Sequence, residues 1–416
     1  MKLLIFENDQ WINLTPLSYT RPVFELRCGM YTLLERIMAA VKTRDITLFV
    51  RDYLVNLAKK NYPFFVNSFK GDDDVLIVDG RYLVEEDFRT DKEAVYMCED
   101  EVVYAFVKKE NAVKIENRSI CEIVDFVKTL PPIKIDAKMM KYPWNLVHYN
   151  AEMLKKDFSK SKKIGISGNF SPHAVIHGSD SDVYIAEGAE VHPYVVIDTN
   201  SGPVYIDSKA KIFPFSRIEG PCYIGKETQI MPGASIREGN TIGPVCRVGG
   251  EVEESIFQGY SNKYHDGFIG HAYIGEFVNL GALTTNSDLK NDYSPVSVYV
   301  NGKVVCSGDL KVGSFIGDHT KTSIGTLFNT GTSVGVMCNI TAGGVLPKFF
   351  PSFVWYVNNK FMKGFGLEMM LQTARAAMER RKRILTKEEE EVIRKVYEIT
   401  ADLRKSYISR SLKMKS

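Results

Sequence analysis

No stretch of this 416-residue chain approaches the roughly 18 apolar residues that a membrane-spanning helix needs. The opening MKLLIFENDQ carries acids where a secretory signal stays apolar, so neither a leader nor a membrane partner is expected. Cysteine is scarce: seven residues, an odd number without CxxC spacing, which argues against a disulfide frame or a zinc site and for a reducing, cytoplasmic setting. No P-loop, no HExxH helix and no Ser-His-Asp order is present. Charge of one sign is also lacking, with a net value of +2. From Lys360 onward 15 basic residues face 8 acidic ones, but Glu388 to Glu391 interrupt the basic run. That pattern reads as a solvated helix face, and no nucleic-acid partner is expected.

What the chain does have is a period of six. Ile206, Ile212, Ile218, Ile224, Ile230, Ile236, Ile242 and Val248 are all aliphatic and β-branched, with Gly or Pro often following. Neither a helix nor a half-buried strand keeps such a period. A hexapeptide β-helix does, with one inward knob per flat side and small residues at the corners. Three sides make one coil of about 18 residues. The prism is expected to begin near Ile176 or Ile185 and to pass through Val191 and Ile197. After Val248 the period breaks, through Gly249-Gly250-Glu251 and the polar stretch Gln258 to Gly267, then resumes at Phe268, Ile274 and Leu280. A second interruption, Thr284 to Leu310, holds a hairpin around Asn301-Gly302. The period returns at Ile316, Thr322 (its weak member), Phe328, Val334 and Ile340, and ends beyond Pro347. Insertions in a repeat scaffold map to loops, and loops on a rigid scaffold carry function.

Ahead of the prism, Lys2 to Phe6, Ile46 to Val50 and Val75 to Val78 read as buried strands. Leu33, Leu34, Ile37, Met38 and Val41 mark one helix face. Strand, helix, strand predicts a Rossmann-like α/β sheet. Ligands of such sheets sit at the carboxyl ends of the strands, where Asp79 and Arg81 fall, although Asp-Gly after a strand is a turn more often than a metal site. A helix over Ala151 to Phe158 then precedes a Ser-, Lys- and Gly-rich linker. The expected division is 1–158 for the α/β domain, 159–168 for the linker, 169–350 for the left-handed β-helix and 351–416 for a helical hairpin. Its helices start after Gly366 and at Thr386, where Thr-Lys-Glu-Glu offers a capping box with Glu389. The hairpin would cover the open end of the prism or dock on a neighbouring subunit.

His265 stands in the polar stretch beside Asn262, Lys263 and Asp266. A neutral imidazole is a suitable general base, with Asp266 or a carbonyl to set its tautomer; a surface-loop histidine is the plainer reading. His271 reads as structural. Asn279 and Lys290 flank the region and suit a phosphate or hydroxyl group.

Gly249-Gly250-Glu251, Asn262-Lys263-x-His265-Asp266-Gly267-Phe268-Ile269-Gly270-His271, Val278-Asn279-Leu280-Gly281-Ala282 and Asn286 to Asn291 resemble one family. It is the bifunctional N-acetylglucosamine-1-phosphate uridylyltransferase and glucosamine-1-phosphate N-acetyltransferase enzymes, in an alternative branch. The resemblance implies a nucleotidyltransferase domain, then a trimerising left-handed β-helix whose sites lie between subunits, hence a homotrimer or a multiple of trimers. It implies acetyl-CoA as acyl donor and His265 as catalytic base, with Phe268 where the family has tyrosine. Asn279 is expected at the sugar or the oxyanion, Ala282 at coenzyme A, and Lys290 and Arg237 at phosphate or uridine. In the N-terminal part the family's Gly-rich triphosphate loop is replaced by Leu4-Ile5-Phe6-Glu7-Asn8-Asp9. Thr15 to Gly29 resembles the branch's own T-P-L-x-[YF]-T-R-P motif, which makes Arg21 and Arg27 candidate phosphate ligands beside Arg81. Asp79 and Asn150 correspond to the family's Mg²⁺ ligands.

The leading expectation is therefore acetyl-CoA-dependent N-acetylation of an amino sugar 1-phosphate, coupled to nucleotidyl transfer from UTP or dTTP to a sugar 1-phosphate. Two alternatives stay open. The β-helix is only a trimerisation scaffold for a nucleotidyltransferase, or the whole chain is a non-catalytic scaffold that binds a nucleotide sugar.

Overall fold

The computed structural model describes residues 1–344 and 346–413. The N-terminal part is a seven-stranded sheet in the order Phe65–Val66, Ile46–Phe49, Lys2–Phe6, Val75–Asp79, Glu101–Val107, Ala94–Cys98, Pro132–Lys134. The three strands legible in the sequence are neighbours paired in parallel. Both of their faces are buried, which is why they read as continuous apolar runs. The helix Leu33–Val41 starts on a capping box made by Thr32 and Glu35.

A long helix, Pro143–Ser161, leads out of this domain. It is longer at both ends than the Ala151 to Phe158 reading, because Pro143 sits in the first turn, where its fixed φ favours initiation. The first prism strand, Gly165–Ile166, follows at once, so the expected 159–168 linker is divided between a helix end and a strand.

The prism has three faces of parallel strands, the longest with ten. All eight positions of the register are fully buried at 0% exposure. Ile206, Ile224 and Ile242 stack on one face, Ile212, Ile230 and Val248 on the second, and Ile218 and Ile236 on the third. Each buried knob contributes about 1.5–3 kcal/mol.

The expected break after Val248 is not a departure from the prism. Glu251–Glu253, Ile256–Gly259, Asn262–Lys263 and Phe268–Gly270 continue its faces. The corners shorten, so the inward residues become Val252, Phe257, Lys263 and Ile269, which a strict count of six misses. The period resumes on Ile269 rather than Phe268, and Lys263 takes an inward position beneath Val248. Likewise Thr285–Asn286 still belongs to the prism, and the chain leaves it only at Ser287. The hairpin Ser297–Val300 with Lys303–Cys306 forms as read, Asn301 and Gly302 taking φ of 47° and 77° at the turn.

Two further corrections concern the end of the chain. The prism continues past Pro347 to Met362 because aromatic knobs, Phe350 and Tyr356, take over from aliphatic ones. Three helices follow instead of a hairpin: Leu367–Glu379, Lys387–Ile399 and Ala401–Lys413. The capping box of Thr386 and Glu389 is present. The last helix covers the end of the prism, with Tyr407 against Phe349 and Phe361. The helix Lys387–Ile399 reaches the N-terminal domain, where Lys60 pairs with Glu388 at 2.7 Å and Asn56 donates to Glu391 at 3.2 Å. All seven cysteines are free. No helix among the described residues is long and apolar enough to cross a membrane.

Candidate functional sites

His265 is exposed at the corner between the strands Asn262–Lys263 and Phe268–Gly270. The corner is held from inside. The Lys263 ammonium, 2% exposed as a residue, donates to the carbonyls of Gly249 at 2.7 Å and His265 at 3.1 Å. Burial pulls the Lys263 amine down to about 8. The next coil holds the corner from outside, where Leu283 N–H donates to the Asp266 carbonyl at 2.7 Å. Gly267 closes the turn at φ +126°, and a Cβ there would meet the Thr284 carbonyl at 2.3 Å, so no side chain is tolerated. Among the described residues neither Asp266 nor a carbonyl reaches the His265 ring, which leaves the imidazole free for a ligand.

Beside this corner runs a polar ladder along the outer surface of one face. Arg247 pairs with Asn262, Asn262 with Asn279, Asn279 with Lys321, and Lys321 with Asn339. Parallel strands lie about 4.8 Å apart, so Arg247 to Lys321 spans roughly 14 Å. Asn262 Nδ2 donates to Asn279 Oδ1 at 2.9 Å, which fixes both amides. The helix Leu367–Glu379 lies over the ladder and turns it into a cleft of about 540 Å³ that contains His265, Asn262, Asn279 and Lys321. The Lys321 amine donates to the His319 carbonyl at 3.0 Å, and burial lowers it to about 8. Motif reading missed Arg247 and Lys321, yet a positional signal existed. Each ladder residue directly precedes an inward one: Val248, Lys263, Leu280, Thr322.

The remaining residues expected at the acyl-transfer site lie elsewhere in this chain. Phe268 is on the third face, its ring over Gly270. Arg237 is on the same face, paired with Glu253 at 2.7 Å and near Glu251 and Glu238. Ala282 occupies the corner after Leu280, its carbonyl accepting from Gly325 N–H at 2.8 Å, outside the cleft lining. Lys290 is in the excursion and donates to Ser294 Oγ and, at 3.2 Å, to the Pro295 carbonyl. His271 is clamped between Asp288 at 2.8 Å and Glu254 at 3.0 Å. Burial opposes its charge, but these two carboxylates outweigh it and raise the imidazole to about 9, consistent with a structural ion pair.

In the N-terminal domain the motif arginines face the prism, not a nucleotide cleft. Arg21 is buried in an ion pair with Asp318 and lies 3.4 Å from Glu276, both prism residues. Arg27 donates to the carbonyls of Gln258 at 3.1 Å and Met30 at 3.2 Å. Asn150 is fully buried in the same seam. Its Oδ1 accepts from Gly29 N–H at 2.7 Å and from Thr241 Oγ1 at 2.9 Å, and its Nδ2 donates to the Gly239 carbonyl at 2.8 Å. Asp79, also fully buried, accepts two bonds from the Arg81 guanidinium and one from Asn8 Nδ2 at 3.1 Å. Arg81 continues to Glu101 at 2.6 Å. Asp79 and Asn150 therefore do not share a site, both are saturated by protein partners, and the pair does not fit Mg²⁺. No cluster of three or more metal-ligating side chains occurs among the described residues.

A cleft of about 720 Å³ does open outside the carboxyl ends of Lys2–Phe6 and Ile46–Phe49, where such sheets bind ligands. Asn8, Trp11, Arg51, Asn67, Arg118 and Ser119 are on its walls. Arg51 is already engaged: it pairs with Glu7 at 2.9 Å, donates to the carbonyls of Ser18 and Arg21 at 2.7 Å, and lies 3.9 Å from the Trp11 ring centre.

Residues 3–164 match the family model described as sugar nucleotidyl transferase. The chain is 29% identical over 205 residues to a bifunctional sugar-1-phosphate nucleotidylyltransferase/acetyltransferase of Sulfurisphaera tokodaii, covering 49% of this chain and 44% of that protein. It is 33% identical over 193 residues to the bifunctional protein GlmU of Methanococcus aeolicus, covering 46% and 40%. With GlmU of Methanocaldococcus jannaschii it shares 29% identity over 258 residues, covering 60% and 55%. The chain thus spans about half the length of the curated relatives it matches. The resemblance read from the prism motifs and the α/β reading of the first domain point to the same proteins.

Proposed function

We propose that this chain is a cytoplasmic sugar-phosphate transferase that acetylates the amine of an amino sugar 1-phosphate, such as glucosamine 1-phosphate, with acetyl-CoA as donor. One observation carries the reading: an exposed imidazole at a doubly anchored corner opens into a cleft beside an amide ladder. His265 takes a proton from the substrate ammonium, and the freed amine attacks the thioester carbonyl. A C–N bond forms while the C–S bond breaks. Amide donors beside Asn279 stabilise the oxyanion, the departing thiolate is protonated by the imidazolium, and the second proton on the attacking nitrogen passes to solvent as the neutral amide forms.

Arg237 and Phe268 support assembly of the complete site between subunits. They lie on a different face of the prism from Asn262 and Asn279, with His265 at the corner that divides the faces. A second copy laid against this corner would bring both sets to one substrate, in keeping with a homotrimer. Incubation with acetyl-CoA and glucosamine 1-phosphate, followed by thiol release, tests the reading. Wild type is expected to release thiol and His265→Ala to lose at least about 100-fold, in line with removal of a general base. Equal release by both would end it.

The N-terminal domain is assigned nucleotidyl transfer from UTP or dTTP to a sugar 1-phosphate. A phosphate oxygen attacks the α-phosphorus and pyrophosphate leaves, in the cleft that contains Asn8 and Arg118. The engagement of Arg21 and Asp79 by other side chains and of Arg27 by backbone carbonyls favours a second reading for this half, in which it binds a nucleotide sugar without turnover. Pyrophosphate release from either triphosphate with Mg²⁺ and candidate sugar 1-phosphates separates the two. Binding without release leaves only the second.

A further inference from the structure

The acetylation cleft is walled on one side by a part of the chain outside the family motifs. The helix Leu367–Glu379 ends there, and Arg380 and Arg381 in the following turn reach the same cleft as Arg247 and Lys321. Among the described residues, four permanent or titratable cations and a histidine line it, and no carboxylate does. Such an arrangement is self-repelling without a counter-charge. Arg381 registers this directly: burial, then the neighbouring Arg247 and Arg380, lower its guanidinium below the ordinary arginine range. Its Nε is buried without a hydrogen-bond partner. By contrast, on the same helices and the turn that joins them Arg394 is matched by Glu368 and Glu390, Arg375 by Glu390, and Arg383 by Glu389.

The turn is also positioned. Its backbone is tied back through Arg381 N–H to the Met378 carbonyl at 2.8 Å. Arg383 then donates to the Tyr260 hydroxyl at 3.2 Å, and the Tyr260 ring stacks on Phe277 at 4.9 Å. The two arginines are therefore presented to the prism by an anchored turn.

We propose that Arg247, Arg380 and Arg381 form a phosphate-binding subsite at one end of the acetylation cleft, supplied in part by the C-terminal helices. Planar guanidinium forks suit phosphate, which they can hold through paired charge-assisted hydrogen bonds. Two ligands of the proposed reaction carry phosphate: the nucleotide end of the acyl donor and the 1-phosphate of the acceptor. The choice between them rests on the proposed acetyl transfer; the anion site itself does not.

Calorimetric titration of the full chain with adenosine 3′,5′-bisphosphate, and separately with glucosamine 1-phosphate, tests it. Arg380→Ala/Arg381→Ala is expected to weaken at least one of these probes by about tenfold to a hundredfold, the loss of one or two charge-assisted bonds. Binding in the wild type should also fall steeply with salt. Loss of only the bisphosphate assigns the subsite to the donor, and loss of only the sugar phosphate to the acceptor; either supports the proposal. Arg375→Ala, on the same helix but paired with Glu390, should leave both affinities unchanged. Arg380→Lys/Arg381→Lys keeps the charge and should retain part of the binding, which separates lost contacts from lost folding. Unchanged binding of both probes by the double alanine variant, at unchanged melting temperature, overturns the subsite. Arginine-dependent binding without thiol release would sink the acetylation reading and leave the subsite standing.

Discussion

The two clefts of this molecule differ in what their cations face. In the N-terminal cleft Arg51 is fixed by Glu7, by two carbonyls and by the Trp11 ring. In the prism cleft Arg247, Arg380 and Arg381 face one another. The first arrangement is a structural brace that happens to border a cavity. The second is poised for an anion. A basic residue at a cleft is evidence for a ligand only when no protein carboxylate already balances its charge.

That contrast can be pressed experimentally. The largest effect is expected where an arginine matches buried acids. Arg21→Met leaves Asp318 and Glu276 without their counter-charge and should cost about 3–5 kcal/mol in denaturant titration, because an unpaired buried charge remains. A cost below about 1 kcal/mol would mean that the seam is not braced by this pair. Next comes His271, whose folded value of about 9 lies above the ordinary 6.5. The stabilisation it contributes is complete below pH 6.5 and is lost as pH rises through 9, on the order of 2–3 kcal/mol. His271→Asn should flatten that part of the stability–pH curve, as followed by thermal melts. Arg51→Lys keeps a charge but loses the fork to Ser18 and Arg21, for about 1–2 kcal/mol. The smallest effect on stability belongs to Lys263→Met, within about 1.5 kcal/mol, since an apolar side chain of similar length suits an inward position. Yet thiol release should drop by about tenfold or more, because the corner bearing His265 loses its internal tie. Unchanged release would make Lys263 a filler of the prism alone.

Legibility of the fold followed the strictness of the period. Where each side has six residues, aliphatic knobs announced the prism without ambiguity. Where corners shorten after Val248, the same architecture looked like a loop, and the inward Lys263 looked like a surface residue. At the far end Phe350 and Tyr356 hid the last coil, because aromatic knobs do not resemble the aliphatic pattern. His265 and Asn279 stand out in the sequence because their motif is contiguous and local. Arg380 and Arg381 do not, because only tertiary packing of the tail brings them to the cleft. Arg21, Arg27 and Asn150 resemble ligands in sequence because motif position does not reveal that a neighbouring domain takes up their hydrogen-bonding capacity.

The covered end of the prism has a consequence for colloidal behaviour. A stack of parallel strands presents unpaired backbone groups on its terminal rung, and such a rung templates head-to-tail growth into open filaments. Here the final strand Lys360–Met362 runs antiparallel to its neighbour, and its Phe361 N–H donates to Ser411 Oγ of the last helix at 2.9 Å. The helix Ala401–Lys413 thus acts as a stopper against polymerisation as much as a source of stability.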